Sequence, residues 1–242
     1  MKKQLVGLSL LAACVSSSAL AAGPVANIQV TGDMRPPTCI VNGGDNDLVY
    51  NLGNISPSVI PQDKTYNGLP TVSRNLTVTC DAETFLTFKA TDNYPNDFIF
   101  LDGQNSNFDG ITFNLVSEDD TTKNIGGISF RGTNVTVDGK KAYISRANDG
   151  DHDNGTWPGK EAIVKNATTG WTKTEQGRVD IDALDLISGK VFSMNISNRN
   201  AVANGVSFTY IYPKSVLDNN GIDISSGINY VGQAILTFKF GI

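Results

Sequence analysis

Apolar and polar side chains alternate at every second position along most of this chain, and clusters of Asn, Asp, Gly and Pro interrupt the alternation. That period places one face of an extended strand in a core and the other in water. Leu76, Val78 and Cys80 alternate with Asn75, Thr77 and Thr79. Beyond Asp81-Ala82-Glu83, read as a turn, Leu86, Phe88 and Ala90 alternate with Thr87, Lys89 and Thr91, which predicts two antiparallel strands. Further strands are expected over residues 111–116, 127–131, 134–137, 179–184, 191–196 and 206–212. Turn clusters such as Asp92-Asn93-Tyr94-Pro95-Asn96 and Asp218-Asn219-Asn220-Gly221 separate them. No segment carries a sustained helical stripe, and no repeat or low-complexity linker divides the chain. Many short strands joined by polar turns predict a single all-β sandwich over residues 39–242.

The ends carry the most regular patterns. From residue 228 to 242 every even position is apolar or Gly, including Ala234, Leu236, Phe238 and Phe240, which predicts one long C-terminal strand. Near the start Ala26, Ile28, Val30, Gly32 and Met34 alternate with polar residues until Pro36-Pro37 breaks the register. Residues 22–38 therefore read as an N-terminal extension. It is either an ordinary first strand of its own domain or a strand added to a neighbour's sheet.

Residues 1–21 read as an export signal. Lys2 and Lys3 precede an apolar stretch over residues 5–15, and Ala19-Leu20-Ala21 offers small residues for cleavage after Ala21 or one residue later. Leu11-Ala12-Ala13-Cys14 also has the form of a lipoprotein box that would lipidate Cys14, but it leaves a very short apolar stretch and ignores the better-placed alanines. No later run approaches the roughly 20 apolar residues of a spanning helix. With the signal removed, Cys39 and Cys80 are the only cysteines. In an oxidising compartment they are expected to form a disulfide worth about 4 kcal/mol on the chain-entropy model.

Charge and chemistry narrow the function. The net charge is −5, and loss of Lys2 and Lys3 makes the exported chain more acidic still, so no basic stripe exists to neutralise nucleic-acid phosphates or an anionic membrane. His152 is the only histidine, with no nucleophile motif beside it, so no enzyme activity is expected. Glu118-Asp119-Asp120 and the series Asp180, Asp182, Asp185 read as turn and solvent-face charge. Asp149, Asp151 and Asp153 before Asn154-Gly155 resemble the start of a calcium loop. The Gly comes one place late, however, and Lys160 stands where a bidentate carboxylate belongs, so no metal or cofactor is expected. Trp157 and Trp171 flank an inserted region and would line a sugar site if exposed; burial in the core is the simpler expectation.

These residues carry a resemblance. Ile28-Gln29-Val30-Thr31-Gly32 with Pro36-Pro37-Thr38-Cys39, Asn51-Leu52-Gly53-Asn54-Ile55, Leu76-Thr77-Val78-Thr79-Cys80-Asp81-Ala82-Glu83-Thr84 and Ala90-Thr91-Asp92-Asn93 resemble subunits of chaperone–usher fimbriae. More closely, they are similar to the fimbrial-operon proteins that carry the domain of unknown function DUF1120. Fainter matches lie at Phe113-Asn114-Leu115, Asn124-Ile125-Gly126 and Gly232-Gln233-Ala234-Ile235-Leu236.

The resemblance implies an Ig-like, pilin-like sandwich lacking its last strand. A periplasmic chaperone would fill the gap first, and the N-terminal extension of the next subunit would then replace it, with an outer-membrane usher guiding assembly. Ala26, Ile28, Val30 and Gly32 would be the donated side chains, and Ala234, Leu236, Phe238 and Phe240 would form the edge onto which the chaperone zips. The expected route runs from periplasm to fimbrium and cell surface, with other fimbrial subunits as partners and a host or abiotic surface as target. Two features depart from the pattern: Gly241-Ile242 follows Phe240, and the chain has surplus length between Phe130 and Trp171. The alternative is a self-complete periplasmic or lipid-anchored sandwich that binds a small ligand or glycan. An acid-dependent glycan hydrolase would need two carboxylates about 5 to 10 Å apart across a cleft.

Overall fold

A computed structural model describes residues 28–150, 159–200, 202–203 and 206–241. The signal over residues 1–21, Cys14, Ala26, Asp151, His152, Asp153 and Trp157 lie outside the described residues. The elements follow in chain order: β1 (Cys39–Val41), β2 (Ser73–Thr84), β3 (Leu86–Asp92), α1 (Ser106–Ile111), β4 (Phe113–Ser117), β5 (Asn124–Ile128), β6 (Phe130–Val137), β7 (Lys140–Lys141) and β8 (Tyr143–Ala147). Then come β9 (Thr169–Thr172), β10 (Arg178–Val179), β11 (Gly189–Asn198), β12 (Val202–Ala203), β13 (Val206–Ser207), β14 (Thr209–Ile211), α2 (Lys214–Asn219), β15 (Tyr230–Val231) and β16 (Ala234–Phe240).

Strands β1-β2-β11-β6-β7 form a first sheet, β10-β8-β9-β3-β16 a second and β14-β5-β4-β15 a third, with β12 and β13 paired as a ribbon. The expected all-β sandwich with one disulfide is thus the observed fold. Its core follows from the alternation. Leu76, Val78 and Cys80 of β2 and Phe192, Met194 and Ile196 of β11 point inward from the first sheet, opposite Leu86, Phe88 and Ala90 of β3 in the second. Trp171 on β9 is wholly buried between Phe88 and Phe192, with edge-on ring centroids 5.7 and 5.5 Å away. One indole therefore joins the inner faces of the two sheets, as the core reading of that residue anticipated.

Several local expectations are corrected. Asp81-Ala82-Glu83 continues β2 rather than turning. Phe85 alone then carries the chain from the first sheet into the second, so β2 and β3 belong to different sheets and do not pair. Residues 127–131 straddle the end of β5 and the start of β6, while 134–137 complete β6. Asn134 sits inside β6 at φ 51° where the pairing with β11 shifts register between Ser193 and Asn195, a bulge that breaks the alternation. Of residues 179–184 only Val179 is in a strand, because a short 3-10 turn occupies Ile181–Ala183.

The long C-terminal strand is in fact two. β15 pairs with β4 in the third sheet and β16 with β3 in the second, and the chain changes sheet at Gly232-Gln233. Helices α1 and α2, six residues each, interrupt the β pattern and are too short to print a helical period on the sequence. Contacts divide the chain after Arg35, leaving Pro36–Ile242 as the sandwich unit. Residues 28–38 form no strand, and Ile28 and Val30 are 92% and 90% exposed.

Candidate strand-accepting groove

Each sheet ends on an edge strand, and two of these edges border one opening: among the described residues β1 pairs only with β2 at the end of the first sheet, and β16 only with β3 at the end of the second. Between them runs a groove of about 1590 Å³ whose floor is made by Leu76, Phe113, Leu115, Ile128, Phe130 and Ile196. Five of them are buried core side chains and Phe130 is half-buried against them, so the hollow lies directly on the apolar core.

The first margin is fixed by local chemistry. Cys39 lies directly opposite Cys80 and is disulfide-bonded to it, with 4.0 Å between the Cα atoms. Thr38 N donates to the Asp81 carboxylate at 2.8 Å, and Thr77 N donates to the Asn42 side-chain oxygen at 2.8 Å, so a three-residue strand is held at both ends. The chain then passes along the opening. Arg74 Nε donates to the Val49 carbonyl at 2.8 Å, and Tyr50 Oη donates to the Ile196 carbonyl at 2.8 Å while its ring sits edge-on to Phe130 at 5.3 Å. Burial pushes the Tyr50 hydroxyl well above the usual phenol range, against a weaker opposing pull from Arg74.

The second margin is β15 and β16. Ala234, Leu236 and Phe238 face the groove and are only half-buried, whereas the inward residues of β11 are fully enclosed. A strand that closes a complete core buries its inward side chains; these three pack against the core, Phe238 with its ring 5.9 Å from that of Phe88, yet stay half-buried. The expected edge residues are therefore brought together for Ala234, Leu236 and Phe238. Phe240 pairs with Leu86 beyond the groove and is 46% exposed. On β15 the Tyr230 hydroxyl is buried with no hydrogen-bond partner among the described residues, and burial raises its pKa, with Tyr66 adding to the effect. Asp47, Glu118 and Asp119 contribute to the lining, and among the described residues no Lys or Arg does. The opening is apolar at its floor and acidic at its rim.

Of the expected donor residues, Ile28, Val30 and Gly32 are exposed and belong to no strand, and Ala26 lies outside the described residues. Sequence reasoning marked the C-terminal edge strand and the Cys39–Cys80 pair but not the β1 margin, the floor from β4 to β6 or the stretch around Tyr50. Its only signal was the apolar residues gathered in 111–116, 127–131 and 48–52.

Other candidates are already engaged. The Asp149 carboxylate accepts from Lys89 Nζ at 2.8 Å and from Thr168 N and Oγ1, each at 2.7 Å; burial opposes its ionisation, but these donors outweigh burial and lower its pKa. Those bonds tie Asp149 into a structural clip, while Asp151 and Asp153 of the calcium-like segment lie outside the described residues. Asp185 meets Lys173 at 3.2 Å, and Asp180 accepts from Asn148. A second hollow of about 540 Å³ contains Tyr143, Glu161 and Glu175, but the Lys141 ammonium sits over the Tyr143 ring at 5.0 Å and Lys160 holds Glu175 at 3.3 Å. Its one aromatic face is thus covered against sugar stacking.

No protein-family model matches the chain, and no curated protein matches it. Among the described residues, no helix is long and apolar enough to cross a membrane.

Proposed function

We propose that this chain is an exported fimbrial-type structural subunit that assembles by accepting and donating β-strands and turns over no substrate. In the periplasm a chaperone strand occupies the groove between β1 and β16. At the outer-membrane usher it is replaced by the N-terminal extension of a sister subunit, and the fibre contributes to cell adhesion. The observation that supports this reading is the groove itself: two unpaired strand edges flank a floor of core side chains. Such edges invite pairing with another chain. An added strand would gain main-chain hydrogen bonds from an edge and side-chain specificity from alternate pockets. Ile28 and Val30, exposed at spacing two next to polar Gln29 and Thr31, have the pattern of such a strand.

The test is co-expression with a cognate periplasmic chaperone, with and without residues 22–35, followed by sizing of the oxidised protein. Chaperone capture in both cases, with multimer ladders only when the extension is present, is the expected result. A stable monomer that ignores the chaperone overturns the proposal and favours the self-complete ligand-binding sandwich.

A further inference from the structure

Away from the groove, two oppositely charged side chains from separate elements meet beside a buried apolar cluster. Lys165 Nζ lies 2.7 Å from Asp109 Oδ1, with only 13% and 21% of the two side chains exposed. Their backbones are fixed as well. Lys165 N donates to the Gly110 carbonyl at 2.7 Å, Asn166 N donates to the Ala90 carbonyl at 2.8 Å, and Lys165 forms a parallel bridge with Ala90 of β3. The residues flanking the pair, Phe108, Ile111, Val164 and Ala167, form one buried cluster with Phe208. The surface pairs Lys160–Glu175 and Lys173–Asp185 have no such enclosure, their side chains being 38–59% exposed.

The third group is Asp92, two residues beyond Ala90 on the same face of β3. Its carboxylate oxygens accept from Tyr94 N at 2.9 Å and Asn114 N at 2.7 Å, which hold the side chain in place. Ala90, two residues before Asp92, bridges Lys165, and the charges of Lys165 and Asp109 both act on the ionisation of Asp92. Burial raises its pKa, against weaker lowering by the two backbone donors and Lys165, so a proton is more readily kept on this carboxyl than on an ordinary aspartate.

We propose that Lys165 and Asp109 become joined by an intramolecular isopeptide bond, with Asp92 as the proton carrier. The ammonium of Lys165 gives one proton to the Asp109 carboxylate across their hydrogen bond. The freed Nζ lone pair attacks Cγ of Asp109. Asp92 takes a second proton from that nitrogen and delivers one to the departing hydroxyl, the C–O bond breaks, and water leaves. An ammonium and a carboxylate are converted into one amide and one water, Asp92 is regenerated, and no oxidant or cofactor is consumed. Near-contact of amine and carboxyl in a water-poor pocket supplies the proximity such a condensation needs. The product closes a covalent loop from α1 to the segment before β9, a second tether besides Cys39–Cys80.

The test is the mass of the purified exported protein, reduced and denatured, with its N-terminus established by sequencing. The expected result is a mass one water below that of the sequence, with a branched peptide that links residues 109 and 165 after digestion. Lys165→Arg and Asp109→Ala restore the full mass, and Asp92→Asn slows bond formation by about a hundredfold or more, the size of a general acid–base contribution. A succinimide at Asp109-Gly110 also loses water, but it yields no branched peptide and survives Lys165→Arg. Full mass in folded wild-type protein, shown by a cooperative melt and an intact disulfide, overturns the proposal, as does water loss that persists in Lys165→Arg. Wild-type kinetics in Asp92→Asn overturn the role given to that residue.

Discussion

The Tyr50 hydroxyl donates to the carbonyl of Ile196, 146 positions away, and so ties the chain that borders the groove to the strand that floors it. Tyr50→Phe keeps the ring against Phe130 and deletes only that bond. The expected loss is about 1 kcal/mol in urea unfolding, the usual net worth of one hydrogen bond.

Removing the covalent tether of the same margin is expected to cost more. A Cys39→Ser, Cys80→Ser double variant frees β1 from β2 except for its ladder and the Thr38–Asp81 and Asn42–Thr77 contacts. The midpoint of denaturant unfolding is expected to fall by the equivalent of about 4 kcal/mol, the chain-entropy estimate for a loop of this length. An unchanged midpoint would show that the bond does not constrain the unfolded chain.

Core and groove respond differently to truncation. Phe192 is fully buried beside Trp171, so Phe192→Ala is expected to destabilise by about 3 to 5 kcal/mol. Leu236→Asp and Phe238→Asp alter half-buried side chains on a free edge and are expected to change the melting point little while abolishing chaperone capture. Equal destabilisation by both classes in a thermal melt would make β16 an ordinary core strand.

Acid titration probes Asp92. Its folded-state pKa lies above the unfolded carboxylate value, so the native state holds this proton more tightly than the unfolded chain does. Its contribution favours folding fully below the unfolded value and is lost as pH rises through the raised native one. Over that mildly acidic window, wild-type protein is expected to gain stability on acidification relative to Asp92→Asn. Urea midpoints at stepped pH measure the difference, and parallel curves would count against a raised native pKa.

Much of the sandwich is legible in the sequence because β2, β3 and β11 each bury one face, which writes the alternation directly into Leu76-Val78-Cys80, Leu86-Phe88-Ala90 and Phe192-Met194-Ile196. The misses have physical causes. The bulge at Asn134 shifts the parity of β6, the change of sheet at Gly232-Gln233 hides inside an unbroken apolar pattern, and Asp180 and Asp182 lead into a 3-10 turn whose flanking apolar residues imitate a strand. Six-residue helices hold too few residues to show a stripe. The groove was legible only at its β16 margin. An opening is set by which strand edges go unpaired, and pairing depends on sheet order rather than on any one segment.

Direct occupancy of the groove by the extension can be measured with a synthetic peptide of residues 22–35 added to exported protein that lacks those residues. Saturable binding with a raised melting temperature is expected, lost when Ile28 and Val30 of the peptide are changed to Asp and lost in Leu236→Asp protein. Absence of binding and of any thermal shift, with the protein monomeric and stable alone, would contradict strand acceptance by the groove.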